Sequence, residues 1–145
     1  MSKSNTFEND LLLLVFNNTN IALVGDAAGL RGAVAAGSLY VSLHTADPGE
    51  AGTQLTSEAT YTGYARVAVA RAGANWVVTA GSVSPAATIS FPAGTGGTGT
   101  ATHFGIGTDV SGAGKLLYSG TVTPNILMGN GITPQLTTAT AVTED

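Results

Sequence analysis

Cysteine is absent from this sequence of 145 residues, which excludes disulfide frameworks and thiolate metal sites at the outset. Charge is nearly as scarce. Only 10% of residues are charged, against about a quarter in ordinary soluble domains. The five basic residues, Lys3, Arg31, Arg66, Arg71 and Lys115, are scattered along the chain, and the formal net charge is −4. Phosphate backbones are bound by clustered Lys and Arg, so no nucleic-acid partner is expected. Aromatic residues make up 6% of the chain, too few to suggest a stacking platform for sugars. No apolar run reaches the roughly 20 residues that span a bilayer, and no membrane partner is expected. Lys3 followed by Leu11–Phe16 has the outline of a secretory signal. Glu8 and Asp10 interrupt it and no small-residue cleavage site follows, so retention in the cytoplasm is the expectation.

What the sequence does contain is apolar surface and glycine: 43% hydrophobic residues and 20 glycines. Disordered chains combine low hydrophobicity with high charge, the opposite of this composition. The length suffices for one hydrophobic core. Little charge on a folded domain points to a surface that faces other protein.

The first segment has helical spacing. Asn5 reads as an N-cap, and Glu8 three residues later completes a capping box, which predicts a helix over Thr6–Phe16. Phe7, Leu11, Leu14 and Val15 share one face, while Leu12 and Leu13 add apolar surface elsewhere. Such a helix needs cover from more than one direction, and burial in its own core is expected over a subunit contact. A connector rich in Asn, Gly and Ala follows to Gly37. Asp26 could cap a short helix over Ala27–Ala35, against the cost of Gly29 and Gly32.

From Ser38 the period changes to two. Leu39, Val41 and Leu43 alternate with Tyr40, Ser42 and His44, the pattern of a half-buried strand. Asp47, Pro48 and Gly49 supply a turn. Further strands are expected over Tyr61–Arg71 (Ala65, Val67 and Val69 on one face), Trp76–Thr79, Thr88–Phe91, Ala101–Thr108, Lys115–Val122 and Ile132–Val142. Short strands with glycine-rich punctuation predict an all-β fold, a β-sandwich or jelly-roll-like domain with a short N-terminal helix. Residues 1–37 are read as helix and connector, and residues 38–145 as the β-sandwich domain.

The candidate chemical motifs are weak. Gly94, Gly96 and Gly99 match G-x-G-x-x-G, but the dinucleotide fingerprint needs a helix next, and Thr100–Phe104 read as strand. Gly112, Gly114 and Lys115 resemble the end of a phosphate loop, yet Asp109 stands at the first glycine position and Leu116 where Ser or Thr would hold magnesium. Both stretches, Gly94–Thr100 and Ser111–Gly114, are expected to be strand connections that bind no nucleotide. His44, Asp47 and His103 form the one plausible metal set, with ordinary satisfied histidines the better reading. No serine sits in G-x-S-x-G and none can be given a base partner. Paired carboxylates for glycoside chemistry would have to come from Asp47, Glu50, Glu58 or Asp109, all in turn-like stretches. No catalytic, cofactor-binding or metal residues are assigned, no cofactor is implied, and the protein is read as not an enzyme.

Leu39–Gly49 (LYVSLHTADPG), then Gly63-Tyr64-Ala65-Arg66, Phe104-Gly105-Ile106 and Leu117-Tyr118-Ser119-Gly120, resemble a family of small virion structural proteins of tailed bacteriophages, often labelled tail fibre or decoration-like. The resemblance runs over most of the chain, with the Ala22–Gly37 connector longer than the family's usual link. It implies a β-sandwich that assembles in the host bacterial cytoplasm and ends in the virion. The expected partners are virion proteins, either the major capsid protein or tail components, and other copies of itself, a trimer being favoured. Tail fibres are commonly long and repetitive, and this chain is neither. That tilts the expectation towards a capsid decoration (cement) protein, with a tail or baseplate/tail-fibre adaptor as the alternative. Host-surface binding by the adaptor would be favoured if Tyr61, Tyr64 and Trp76 shared an accessible face, although core packing is the expected role of these rings.

Overall fold

The computed structural model describes residues 2–144. In chain order the elements are α1 (Asn5–Asn17), β1 (Ser38–His44), β2 (Val67–Ala70), β3 (Trp76–Thr79), β4 (Ser82–Pro85), β5 (Ile89–Ser90), β6 (Thr98–Gly107), β7 (Leu116–Gly129), β8 (Gln135–Leu136) and β9 (Val142–Thr143). The protein is therefore mostly β, with antiparallel sheets and one short N-terminal helix. It forms two compact units, each gathered from separate stretches of chain: residues 1–38, 70–87 and 137–145, and residues 39–69 and 88–136.

The first unit holds α1 and the three-stranded sheet β3-β4-β9. Ser4 caps the helix in place of the expected Asn5, its hydroxyl accepting from the Phe7 N–H at 3.4 Å. Asn18 in the left-handed region ends it, with the Thr19 N–H donating to the Leu13 carbonyl at 3.1 Å. The buried stripe is Glu8, Leu12 and Phe16, not the expected Phe7–Leu11–Leu14–Val15 face. Phe16 meets the edge of Trp76 with centroids 4.9 Å apart, and that contact selects which of several apolar stripes turns inward. Leu11, Leu13, Leu14 and Val15 remain half-buried, so the helix is less covered than expected. The helix expected over 27–35 does not form. Asp26 caps instead a tight turn, its carboxylate accepting from the Ala28 and Gly29 N–H groups at 2.8 and 2.9 Å. Gly29 then takes φ +66°, which helical propagation forbids. Arg71 ties this connector to the helix, donating to the Leu14, Val15 and Ala36 carbonyls.

The second unit is built on the four-stranded sheet β2-β1-β6-β7, with the small sheet β5-β8 beside it in the chain order. In β1 the expected alternation holds through Val41, but Ser42, Leu43 and His44 are all buried, because a loop covers the sheet face that a half-buried strand would leave wet. The expected strand over Tyr61–Arg71 is shortened to β2. Tyr61–Tyr64 closes a turn through the Tyr64 N–H and Tyr61 carbonyl at 3.0 Å, with Gly63 at φ +95°. Ala65 is consequently exposed and Arg66 buried, while Val67 and Val69 are half-buried, so Ala65 does not share the environment of the other two. β6 starts inside the glycine–threonine tract, at Thr98, and β7 runs well past Val122 to Gly129. Pairing with β6 passes from Ile126 to Thr121 across an irregularity that leaves Val122–Asn125 out of register. The stretch expected as one strand over 132–142 contains only β8 and β9, and β4 forms where only a Gly-Ser and Pro-Ala connection was expected.

Candidate functional site

The first face of the large sheet is polar at its centre. In the β1–β6 register His44 pairs with His103 and Ser42 with Gly105, so these side chains project on one face. The Ser42 hydroxyl lies 2.8 Å from His44 Nε2, and His44 Nδ1 lies 2.8 Å from the Thr56 carbonyl. A carbonyl can only accept, so Nδ1 carries the proton and Nε2 accepts from Ser42. Burial pushes the imidazole below its ordinary pKa, the Thr56 carbonyl partly opposing this. A serine donating to a histidine base is the geometry of an activated nucleophile, a partnership that was not legible in the sequence. Ser42 and His44 are nevertheless both 0% exposed, so no substrate reaches the hydroxyl. The space they occupy exists because residue 105 is glycine. A Cβ there would lie 2.5 Å from His44 Nε2 and 2.6 Å from the Ser42 hydroxyl.

His103, His44's register partner, places Nδ1 2.9 Å from the Thr102 hydroxyl. Asp47 accepts from the Gly49 N–H at 2.9 Å in the turn that leaves β1. The described residues contain no group of three or more His, Cys, Asp or Glu side chains placed to hold a metal, so His44, Asp47 and His103 are not brought together as ligands.

A second polar centre lies around Arg66. Its guanidinium grips Glu58 through Nε to Oε1 at 2.7 Å and Nη2 to Oε2 at 2.8 Å. It also donates to the Asp109 and Gly112 carbonyls at 2.8 and 2.7 Å. The Tyr64 hydroxyl donates to Glu58 at 2.9 Å while accepting from the Leu43 N–H at 3.1 Å. The hydrogen bonds to Glu58 hold Arg66 even more firmly protonated than usual. Burial drives the Tyr64 phenol far above its ordinary value. Gly-Tyr-Ala-Arg is thus a staple joining the end of the β1–β2 loop, strand β1 and the β6–β7 hairpin. Gln54, fully buried and missed in the sequence, locks the same hairpin. Its side-chain oxygen accepts from the Asp109 N–H at 3.0 Å, and its backbone N–H donates to Ala113 at 2.8 Å. The side chain fills the space left by Gly107 and Gly114.

These contacts also account for the motif-like glycines. In the β6–β7 hairpin the Asp109 and Gly112 carbonyls face a cation, whereas a phosphate loop turns N–H groups towards an anion. In the Gly94–Gly99 stretch, Gly94 bridges Asn130 and Gly96 bridges Thr62. The chain then continues as β6, where a dinucleotide site requires a helix N-terminus. Tyr61, Tyr64 and Trp76 pack inward. Tyr61 is buried and stands edge-on to Tyr64, Tyr64 stacks on Phe91, and Trp76 is buried in the other unit. They form no common accessible face.

The second unit also carries an open cleft. A cleft of ≈ 460 Å³ lies between the turn after β1, with Asp47, Gly49, Glu50 and Gly52, and the first six residues of β7, Leu116–Thr121, with His103 also lining it. Its charged groups are carboxylates on one wall; the β7 wall has none. Of the other two acidic candidates, Glu58 is engaged in the staple through its carboxylate, and Asp109 joins it through its backbone carbonyl.

No curated protein gives a significant match to the chain. The stretches that build the second unit (the Asp-Pro-Gly turn, the Tyr64–Arg66 staple, the Gly105 gap, and Gly120 against the Phe104 ring) lie within a match that spans residues 2–142. Through that match the chain belongs to the family described as podophage GP4 fiber I protein gp80, and so to the structural proteins of the tailed-phage virion.

Proposed function

We propose that this chain is a non-enzymatic component of the phage tail-fibre apparatus, working through contacts with other virion proteins and with further copies of itself. The observation that carries this reading is the match to a fibre family over residues 2–142. Support comes from the connector in the first unit, where Leu23 is 81% exposed and Val34 fully exposed, alongside Leu30. Large apolar residues left this exposed on one connector are candidates for cover by another protein. The absence of an enzymatic role is supported by the sealed Ser42–His44 pair and by the cleft. Glycoside chemistry needs carboxylates on both sides of the scissile bond, and Asp47 and Glu50 stand on one wall. A sandwich-like second unit also belongs to this reading, supported by Phe91, next to β5, stacked on Tyr64.

Capsid decoration is the second reading, favoured by a sequence without internal repeats. Antibody labelling of intact particles, viewed by electron microscopy, separates the two. Label on the tail is the expected result. Label spread over the head would replace the fibre reading with decoration, and label absent from purified particles would refute both.

A further inference from the structure

The connector after α1 is a pinned hairpin, not a slack link. Ile21 and Leu30 exchange both backbone hydrogen bonds at 2.9 Å, and Ile21 is buried. The Asn18 side chain holds the Ala33 N–H and carbonyl at 2.7 and 2.8 Å, and the Asn20 side chain accepts from the Gly32 N–H at 3.0 Å. On this frame Leu23 is 81% exposed at φ +67°, with Val24 and Leu30 also exposed. A bulky residue in the left-handed region is strained, and a side chain standing mostly in water packs too little to offset it. Such strain marks segments held in one conformation for contact. Arg31 follows, also exposed, and among the described residues its guanidinium has no hydrogen-bond or ion-pair partner. Asp26, the hairpin's carboxylate, is turned back onto the Ala28 and Gly29 N–H groups.

The cleft of the second unit has the opposite character. Asp47 and Glu50 line it without any Lys or Arg, and Leu116 and Leu117 bring apolar surface on its β7 wall. Its volume of ≈ 460 Å³ lies within the roughly 300–1,000 Å³ of concave binding sites. We propose that the hairpin of one copy docks in the cleft of a second, Leu23 and Val24 entering against Leu116 and Leu117 while Arg31 meets Asp47 and Glu50. This rests on the reading of the chain as a protein that contacts further copies of itself, and names the two surfaces. The contact joins different patches, so it repeats from copy to copy and either closes a ring or grows a chain. A pinned hairpin loses little freedom on docking, which favours association. Contact between two connectors fits less well, because the carboxylate it offers Arg31 is Asp26, already engaged.

The test mixes two full-length variants. Leu23→Ser with Arg31→Glu disables the hairpin and keeps the cleft. Asp47→Asn with Glu50→Lys does the reverse, and Asn can still accept from the Gly49 N–H. All four positions are exposed, and unchanged thermal melts would show that both chains remain folded. In sedimentation velocity the unsubstituted chain should assemble, and each variant alone should associate at least about ten-fold more weakly, the scale of exposing one large apolar side chain. Their mixture should form one-to-one pairs, since one chain supplies the hairpin and the other the cleft. A second measurement needs none of these changes. The chain has no cysteine, so Val24→Cys in one preparation and Ser119→Cys in another place single thiols on the hairpin and the cleft wall. Oxidising the mixture should yield the mixed disulfide in excess over either homodimer. An unsubstituted chain that stays monomeric at high concentration, or a mixture no more associated than its components, would overturn the proposal. So would loss of association in the hairpin variant alone, the mark of a connector-to-connector contact, or homodimers dominating the oxidised mixture. Particle labelling reads the fibre assignment separately, so a chain located on the tail whose variants fail to complement sinks this contact and leaves that assignment standing.

Discussion

Replacing Arg66 by Met tests whether the Tyr64–Arg66 staple holds the second unit together. The Arg66 and Glu58 side chains are 2% and 10% exposed, and their closest contact is 2.7 Å. Deleting the guanidinium leaves the Glu58 carboxylate with the Tyr64 hydroxyl at 2.9 Å and without its cation. Removing one partner of a buried ion pair costs about 3–5 kcal/mol, chiefly because the other charge stays buried. The Asp109 and Gly112 carbonyls also lose their donor, but both residues are exposed and can hydrate. A loss of about 3 kcal/mol is therefore expected, a large part of the roughly 5–15 kcal/mol that holds a domain folded. For a chain of this size it corresponds to a melting temperature lower by roughly 10 °C. Urea titration followed by far-UV circular dichroism measures the loss. Fluorescence of Trp76, which lies in the first unit, reports that unit separately. Arg66→Met combined with Glu58→Gln removes the orphaned charge while keeping an acceptor for Tyr64, so it should be more stable than Arg66→Met alone. A single-variant loss below about 1 kcal/mol, or a double variant no better than the single, would refute the buried-pair account.

Gly105→Ala drives a methyl into Ser42 and His44 and should cost about 1–3 kcal/mol in the same titration, the range for overpacking; no change would mean that the face is loosely packed. Because burial lowers the His44 pKa, the unfolded chain takes up a proton first as pH falls. Stability should be level above the ordinary histidine value near 6.5 and decline below it until the folded pKa is passed, by at most about 1.4 kcal/mol per pH unit. His44→Gln should remove that slope below about pH 6.5, and an unaltered slope would assign it to other groups. Ser4→Ala should destabilise the first unit by about 0.5–1 kcal/mol while Asn5→Ala leaves melting nearly unchanged; the reverse order would restore Asn5 as the cap.

Patterning was legible where one face of an element is dry and the other wet. The period of two from Ser38 located β1, and β3 was read to the residue, because local alternation and turn chemistry sufficed there. The family likeness was legible as well, since its signature residues sit at turns and close backbone approaches that permit few substitutes. Gly120 is one such position, where a Cβ would lie 2.8 Å from the Phe104 ring. The β2 boundary was not legible, because a turn at Gly63 breaks a run whose residue types all suit a strand. β4 was hidden by Gly81 and Pro85 at its ends, which read as loop until β3 pairs with it.

The sequence by itself determined the class: mostly β, one capped helix at the start, little charge, and a place among phage virion proteins. Composition and periodicity act locally, so each such feature is written within a few residues. The tertiary structure decided which apolar stripe of α1 turns inward, since several were equally greasy and only the position of Trp76 distinguishes them. It also brought Glu58, Arg66, Asp109 and Gly112 into one network across dozens of residues. The same folding enclosed Ser42 and His44 beneath a loop, giving them the geometry of a reactive pair and denying them a substrate. Those outcomes depend on long-range packing, where the contacts that fix a side chain come from segments with no sequence relation to it.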